Sequence, residues 1–540
     1  MAGIQSDRLS LVVGITGHRD VAAGDEAALR AAFGGILERL ARTCPHTPLL
    51  VISGLAAGAD SLAAEEAIAR DVPVLACLPM PREEYEKDFS PEELVRFGDL
   101  LGKCARTVVA SPVREHGYVA AGRFITQYSH LLVAFWDGDR TDRPGGTYDV
   151  IAMRKTGRPA MSHVEAIPYL PDVGPVDVVT TPRAGGVRPA RAFAVTRDFP
   201  QRFAHDTTAA QNFEAMLGRI DTYNVDLERV PAEPGEPALD SLERRTDAIA
   251  NRLQRQSGLF QMLLLVIAFF AAAFQVTGLV PPLAKVLGLL AAFVAYTIAR
   301  KYDYENRYQD YRAVSEGLRV QHAWMCAGLR HRLVDNAYLR MQENELQWIR
   351  LALRYFYLIY CEGRELPDAS HRHPGCFEWV RSQWRYYLGA AKKEARLNRR
   401  LDGVAVAALA VGVACTLYSA IALAQRHLFV CSLVGHCTSA TGDPHIAFLQ
   451  DFFTVPVALA AVLAAIFTHF SEKENLAGNE RRYERMFHVF DRARRELLRI
   501  ERGEPGNAQA VIYELGHAAL VEHADWLIMR RDRPMKVVTV

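Results

Sequence analysis

With 540 residues the chain is long enough for about two to four domains, each able to bury a core of its own. Its 63 Lys and Arg balance 62 Asp and Glu, which excludes the global basic field that nucleic-acid binding demands. Hydrophobic residues make up an ordinary 50%, but they are clumped in the second half. No basic stretch at the N-terminus leads into an apolar run and a small-residue cleavage site, so no secretory signal is expected.

The chain opens on "LVVGITGHRD" (11–20), an apolar strand running into a glycine-bracketed turn that ends in two side chains able to hold an anion. "EAALRAAFGGILERLAR" then has helical spacing, and "PLLVISGLAAGADSLAAEEAIAR" reads as a buried strand, a glycine-rich turn and a second helix. "VPVLACLP", "RTVVASP" and "HLLVAFWDG" are further short strands. This alternation predicts an α/β Rossmann-like N-terminal domain, a mostly parallel sheet with helices on both faces. Ligands of such folds sit at the C-terminal strand ends.

Three turns fall at such ends. They are Gly14-Ile-Thr16-Gly17-His18-Arg19, then Ser53-Gly54-Leu-Ala-Ala-Gly58-Ala-Asp60 opening into a helix, then Arg143-Pro-Gly145-Gly146-Thr147. Glycines let backbone N–H groups approach a phosphate, and a following helix N-terminus adds partial positive charge. Arg19 is always charged and can grip a phosphate bidentately. His18 has two readings, a phosphate contact or a tie within its own turn. Asp60 either caps its helix or meets a ribose hydroxyl.

"SGLAAGADSLAAEEA" resembles the "SGLARGID…A" segment of the SMF/DprA group, and "GRFITQYSHLLVAFWDG…GGTYDVIAMRKTGRP" is similar to the segment that follows it there. The superfamily, SLOG, unites DprA-like proteins, LOG-type nucleotide hydrolases and nucleotide-sensing domains. The resemblance covers residues 9–159 and the following strands to about residue 200. It implies a nucleotide pocket lined by Gly17, Arg19, Ser53, Gly54, Gly58, Asp60, Gly122, Arg123, Gly145, Gly146 and Thr147. LOG hydrolases carry "PGGxGTxxE", whose Glu assists cleavage of base from sugar. Here "PGGTYDVIA" is shorter, Val150 stands three residues beyond Thr147, and Asp149 is out of register. Binding is therefore the expected role. A hydrolase would draw its carboxylate from Asp60, Asp149, Glu65 or Glu66.

The second half carries four apolar stretches, 259–278, 283–299, 403–424 and 452–470, which predict an α-helical membrane region with four transmembrane helices and long cytoplasmic helices. Arg252, Arg255, Arg300, Lys301, Lys392, Lys393, Arg396, Arg399, Arg400, Lys473, Arg481 and Arg482 flank them on one side, against Lys285 and Arg426 on the other. By the positive-inside rule, a multi-pass protein of the inner (plasma) membrane with both termini cytoplasmic is expected. Of the nine cysteines, Cys431 and Cys437 fall in the predicted outer loop and could pair, and the other seven read as reduced thiols. His371, His373 and Cys376 in "HRHPGC" offer three ligands without a fourth, so no metal site is expected.

The hairpins read as a loose duplication, each followed by a Tyr/Arg-rich helix and a distal acidic–Trp pair, Glu343 with Trp348 and Glu522 with Trp526. This arrangement is similar to the SLATT family of two-span effectors that accompany SLOG domains in bacteria. The resemblance implies membrane permeabilisation on a defence signal.

The expected layout is a nucleotide-binding domain at 1–200, a linker and connecting helix at 201–256, and hairpins with their cytoplasmic helices at 257–400 and 401–540. The expected ligand is a nucleotide or nucleotide-derived messenger. The expected partners are the bilayer and a homo-oligomer, without nucleic acid and with no certain cofactor. A LOG-type hydrolase and a nucleotide-regulated transporter or channel are the competing readings.

Overall fold

The computed structural model describes the chain apart from residues 1–2, 142, 158–173, 187, 201–206, 232–237, 278–281, 330–332, 335–337, 340–345, 363–373, 435–443 and 533–540, and apart from some side chains within the apolar helices. His371, His373, Glu343 and Cys437, and the Cys431 side chain, therefore lie outside the described residues. The chain packs into two compact units, one of Met1–Ile249 with Asp310–Arg372 and one of Ala250–Gln309 with His373–Val540.

The first unit holds a seven-stranded sheet of β1 (Leu11–Gly17), β2 (Leu49–Ser53), β3 (Val74–Leu78), β4 (Arg106–Val109), β5 (Leu131–Trp136), β6 (Val176–Thr180) and β7 (Val195–Asp198). The order is β4-β3-β2-β1-β5-β6-β7, parallel throughout except that β7 runs antiparallel to β6. β2 and β3 are buried along their whole length, as an inner strand covered on both faces must be, whereas β4 at the edge is partly exposed.

The covering helices are α1 (Glu26–Thr43), α2 (Ala59–Ala69), α3 (Arg82–Tyr85), α4 (Pro91–Lys103), α5 (Gly117–Tyr128) and α6 (Thr147–Thr156). Two glycines of β1 show that both faces are covered. A Cβ on Gly14 would lie 2.8 Å from Ile125 of α5, and one on Gly17, whose side-chain position faces the other way, would lie 2.6 Å from Ala59 of α2. β1 pairs with β2 on one side and β5 on the other, so the chain reverses its direction across the sheet at β1. The loops leaving β1 and β5 diverge there and open a crevice.

The rest of this unit is α7 (Ala209–Glu228), the start of α8 (Ala238–Thr277), most of α10 (Tyr304–Cys326) and α11 (Gln347–Tyr360). Asn224 of α7 exchanges two 2.9 Å hydrogen bonds with the Leu9 backbone, clamping the entry to β1. α11 is buried from Trp348 to Tyr360 apart from the half-buried Arg350, and its Tyr355 hydroxyl bonds Ser10 at 2.8 Å. Residues 310–372 thus complete the sheet-bearing unit, although the sequence places them with the first hairpin.

The second unit comprises the remainder of α8, α9 (Pro282–Tyr302), the first residues of α10, α12 (Pro374–Val434), α13 (Pro444–Glu474), α14 (Leu476–Glu501) and α15 (Ala508–Arg531). α12 and α13 approach closely where Gly412 faces Ala460, a small-residue contact. Arg482 of α14 binds Glu522 of α15 at 2.8 Å, and Arg530 binds Glu474 at 2.8 Å.

All four apolar stretches lie in helices, namely α8, α9, α12 and α13. Among the described residues, however, only Cys376–Ile421 is long and apolar enough to cross a membrane, with mean hydropathy 2.2 over its most apolar part and 6% of that part buried. The expectation of four spans is corrected to one on this measure. α12 runs to Val434 and α13 begins at Pro444, so helix extends into both ends of the segment expected to be the outer loop.

Candidate functional site

At the end of β1 the backbone turns through His18. Its N–H donates to the Phe135 carbonyl at 3.3 Å, its carbonyl accepts from Ala59 N–H at 2.9 Å, and its Nε2 accepts from Asp137 N–H at 3.0 Å. The same Nε2 lies 3.1 Å from the Asp137 carboxylate, which favours a proton there, but burial outweighs this pull and lowers the pKa, so the nitrogen acts as the acceptor. Of its two readings, the turn tie is the one the geometry occupies. The Asp137 carboxylate in turn takes Arg183 at 2.5 Å.

Arg19, next in sequence, is exposed. Its Nη2 donates to the Tyr118 hydroxyl at 2.8 Å, and its guanidinium lies 5.5 Å from the centre of that ring. Tyr118 donates onward to Asp88, which also pairs with Arg114.

The second turn is built by Ser53, whose hydroxyl accepts Leu55 N–H at 3.1 Å and donates to the Asp60 carbonyl at 3.2 Å. Gly58 has φ +86°, and a Cβ there would lie 2.2 Å from the Arg19 carbonyl oxygen. Only glycine permits both the conformation and the approach. Tyr85 donates to the Gly54 carbonyl at 3.1 Å and closes the turn from α3.

Asp60, in the first turn of α2, is 7% exposed. The nearby Gly17 N–H favours its carboxylate, and its Oδ1 is buried without a hydrogen-bond partner. Burial pushes its carboxyl up to about 7, against the opposing pull of Arg19 and the Gly17 N–H.

In the third turn Gly145 N–H donates to the Asp149 carboxylate at 2.8 Å, and Gly146 N–H to the Arg143 carbonyl at 2.9 Å. Gly146 caps α6 and Thr147 is its first residue. A Cβ on Gly145 would strike the Tyr118 backbone at 2.4 Å. The three turns therefore converge. Gly58 rests on Arg19, Arg19 grips Tyr118, and Gly145 rests on Tyr118. Beside them Trp136 and Tyr148 stack with ring centres 6.0 Å apart, and Arg140 lies over Tyr148.

The remaining candidates are placed elsewhere. Gly14 and Gly122 are packing glycines, the latter admitting Val150 of α6 against α5. Thr16 is buried in β1 opposite Ala134 of β5. Arg123 is half-buried midway along α5, with its Nε unpartnered and its pKa lowered by burial. Tyr118, Tyr85 and Asp88 were not among the sequence candidates. Their signal was a tyrosine opening a helix just past a strand end in "HGYVAAGR", beside glycine turns that need a surface to rest on.

Of the carboxylates a hydrolase would need, Asp149 holds the Gly145 turn, Glu65 is gripped by Arg30 and Arg96, and Glu66 is paired with Arg70. Asp60 alone of these four has an oxygen recorded without a partner. Among the described residues no cluster of His, Cys, Asp or Glu is arranged to hold a metal. No family model matches the chain, and no curated protein matches it.

Proposed function

We propose that the chain is a cytoplasmic sensor of a nucleotide-derived signal, coupled to a helical effector that acts on the membrane. The observation that carries this reading is the convergence of three glycine turns on Arg19 and Tyr118 at the switch point of a parallel sheet, with the N-termini of α2 and α6 alongside. Such a place suits a phosphate. The Trp136–Tyr148 shelf gives a base a face to stack on. Binding without turnover is favoured because Asp149 is engaged in holding its own loop.

The membrane part of the proposal draws on exposed apolar side chains. Leu259, Met262, Leu263, Val266 and Phe270 on α8, Val286, Leu290, Phe293 and Val294 on α9, and Val406, Leu409, Val413 and Leu417 on α12 all face outward. Apolar faces of this extent need lipid or another protein. A membrane-inserted homo-oligomer that permeabilises the bilayer in a bacterial defence response fits these faces and the resemblances above.

The experiment uses the full chain in nanodiscs and in dye-loaded vesicles, challenged with NAD, ADP-ribose and cyclic dinucleotides. Saturable binding by calorimetry that weakens at least about tenfold in Arg19→Ala, with leakage following occupancy, supports the sensor. Release of free base from any of these compounds would replace it with the hydrolase, and absence of binding to all of them would remove the nucleotide reading.

A further inference from the structure

Lys392, Lys393, Arg396, Arg399 and Arg400 of α12 are all exposed. At about 100° per residue they fall within an arc of about 120°, one face of the helix, along about 12 Å of its axis. Glu394, within the same stretch, is half-buried and lies about 100° beyond one edge of that arc. Asp402 lies about 60° beyond the other. Among the described residues no carboxylate pairs with any of the five, and the Nε of Arg396 and of Arg399 donate to the Lys392 and Ala395 carbonyls at 3.1 Å. Three arginines of α14 in the same unit are neutralised, Arg482 by Glu522 at 2.8 Å, Arg495 by Asp491 at 2.9 Å and Arg499 by Glu504 at 2.8 Å. Like charges four residues apart, as in Lys392–Arg396 and Arg396–Arg400, repel along a helix. The α12 stripe therefore calls for negative charge from outside the chain.

The stripe ends where the apolar part of α12 begins. Val404, Val406, Leu409, Val413 and Leu417 are 46–67% exposed, so an outward cationic face gives way to an outward apolar one within about 6 Å of axis. Phosphate beside hydrocarbon is the chemistry of a phospholipid. Nucleic acid and free phosphate supply only the first of the two. Resting on the reading of α12 as a membrane-inserted helix, we propose that this stripe binds the phosphodiester headgroups of anionic phospholipid. A headgroup layer is about 5–7 Å deep, which lets Arg396, Arg399 and Arg400 meet phosphates directly. Lys392 and Lys393 stand above it within a Debye length of about 8 Å and act through the surface potential. A cation so placed strengthens association with an anionic surface about fivefold.

The test compares spin-labelled phosphatidylglycerol with spin-labelled phosphatidylcholine in phosphatidylcholine bilayers that contain the full chain. The motionally restricted fraction of each label gives its relative association with the protein. Phosphatidylglycerol should be favoured by at least about fivefold at low salt, and the preference should fall as salt rises. Lys392→Gln, Lys393→Gln, Arg396→Gln, Arg399→Gln and Arg400→Gln combined should abolish it. Arg396→Lys, Arg399→Lys and Arg400→Lys combined should keep it, as should Arg495→Gln with Arg499→Gln on α14. Restricted phosphatidylcholine equal to the parent's shows that each variant is inserted. Restricted lipid without a preference, or a preference that survives the five substitutions, overturns the stripe and leaves the membrane reading standing. No restricted lipid of either kind overturns the membrane reading and the proposal with it. No lipid preference, together with tight binding of duplex DNA that the Gln variant loses, reassigns the stripe to nucleic acid.

Discussion

The Nε2 of His18 accepts the backbone N–H of Asp137 at 3.0 Å, tying the turn that leaves β1 to the turn that leaves β5. The Arg183–Asp137 pair at 2.5 Å braces the same turn. Burial lowers the His18 pKa in the folded state, so the bond's stability is fully present above the unfolded value of about 6.5 and is lost as pH falls below it. His18→Ala should cost about 1–3 kcal/mol at pH above 7. It should also flatten the acid side of the stability profile, leaving the buried His130 as a remaining contributor. Denaturant titrations across the acid range check both, and an unchanged acid slope would mean that His18 does not titrate on unfolding.

Asp60 works in the opposite sense. Its folded value of about 7 lies above the unfolded one, so its contribution is fully present below about pH 4 and is lost as pH rises through 7. Asp60→Asn, which keeps an acceptor for the Gly17 N–H, should therefore stabilise the sheet-bearing unit by about 2–4 kcal/mol at neutral pH and by nothing near pH 4. Thermal melts at the two pH values measure the difference.

Gly58 and Gly54 lie in one turn but make opposite predictions. Gly58→Ala forces a Cβ against the Arg19 carbonyl at positive φ and should destabilise by at least about 2–3 kcal/mol, with loss of anion binding. Gly54→Ala meets only ordinary contact, the nearest atom 3.5 Å away on Asp60, and should fold normally. Melting temperatures of the pair decide the point.

Asp149→Asn retains an oxygen for the Gly145 N–H and should bind anion nearly as the parent does, whereas Asp149→Ala frees the loop and should weaken binding about tenfold. If Asp149→Asn instead abolished base release while binding persisted, the carboxylate would be chemical rather than structural.

α8 runs from Ala238 through Thr277, the division between the units falling between Ile249 and Ala250. A Gly/Ser insert after Ala250 should preserve nucleotide binding and membrane insertion but abolish ligand-dependent leakage, because a flexible segment transmits no torque. Vesicle leakage and calorimetry on the same preparation report both halves.

Strands β1 to β5 were legible because a parallel sheet covered on both faces writes continuous apolar runs, such as "LLVIS" and "LLVAFW", between glycine and proline punctuation. The glycine turns were legible for the same reason. What escaped was the division of labour among them. Gly14 and Gly122 have the same letter as Gly58 and Gly145, and only the distance to a neighbouring helix separates packing from loop geometry. Tyr118 escaped because its role arises from Arg19 ninety-nine positions away. α11 escaped because a helix buried nearly all round belongs to whichever core lies beside it, and sequence order assigned "QWIRLALRYFYLIY" to the wrong one.

That return of the chain has a consequence for biosynthesis. β1 is made before the other strands, yet Tyr355, which meets Ser10, and the rest of α11 arrive only after the apolar parts of α8 and α9 have been made. At about 5–20 residues per second, the strands wait roughly 5 to 20 seconds between the emergence of Ile249 and that of α11. A nascent chain stalled before α11 carries a sheet with an uncovered flank, and a chaperone at the tunnel exit would find its binding surface there.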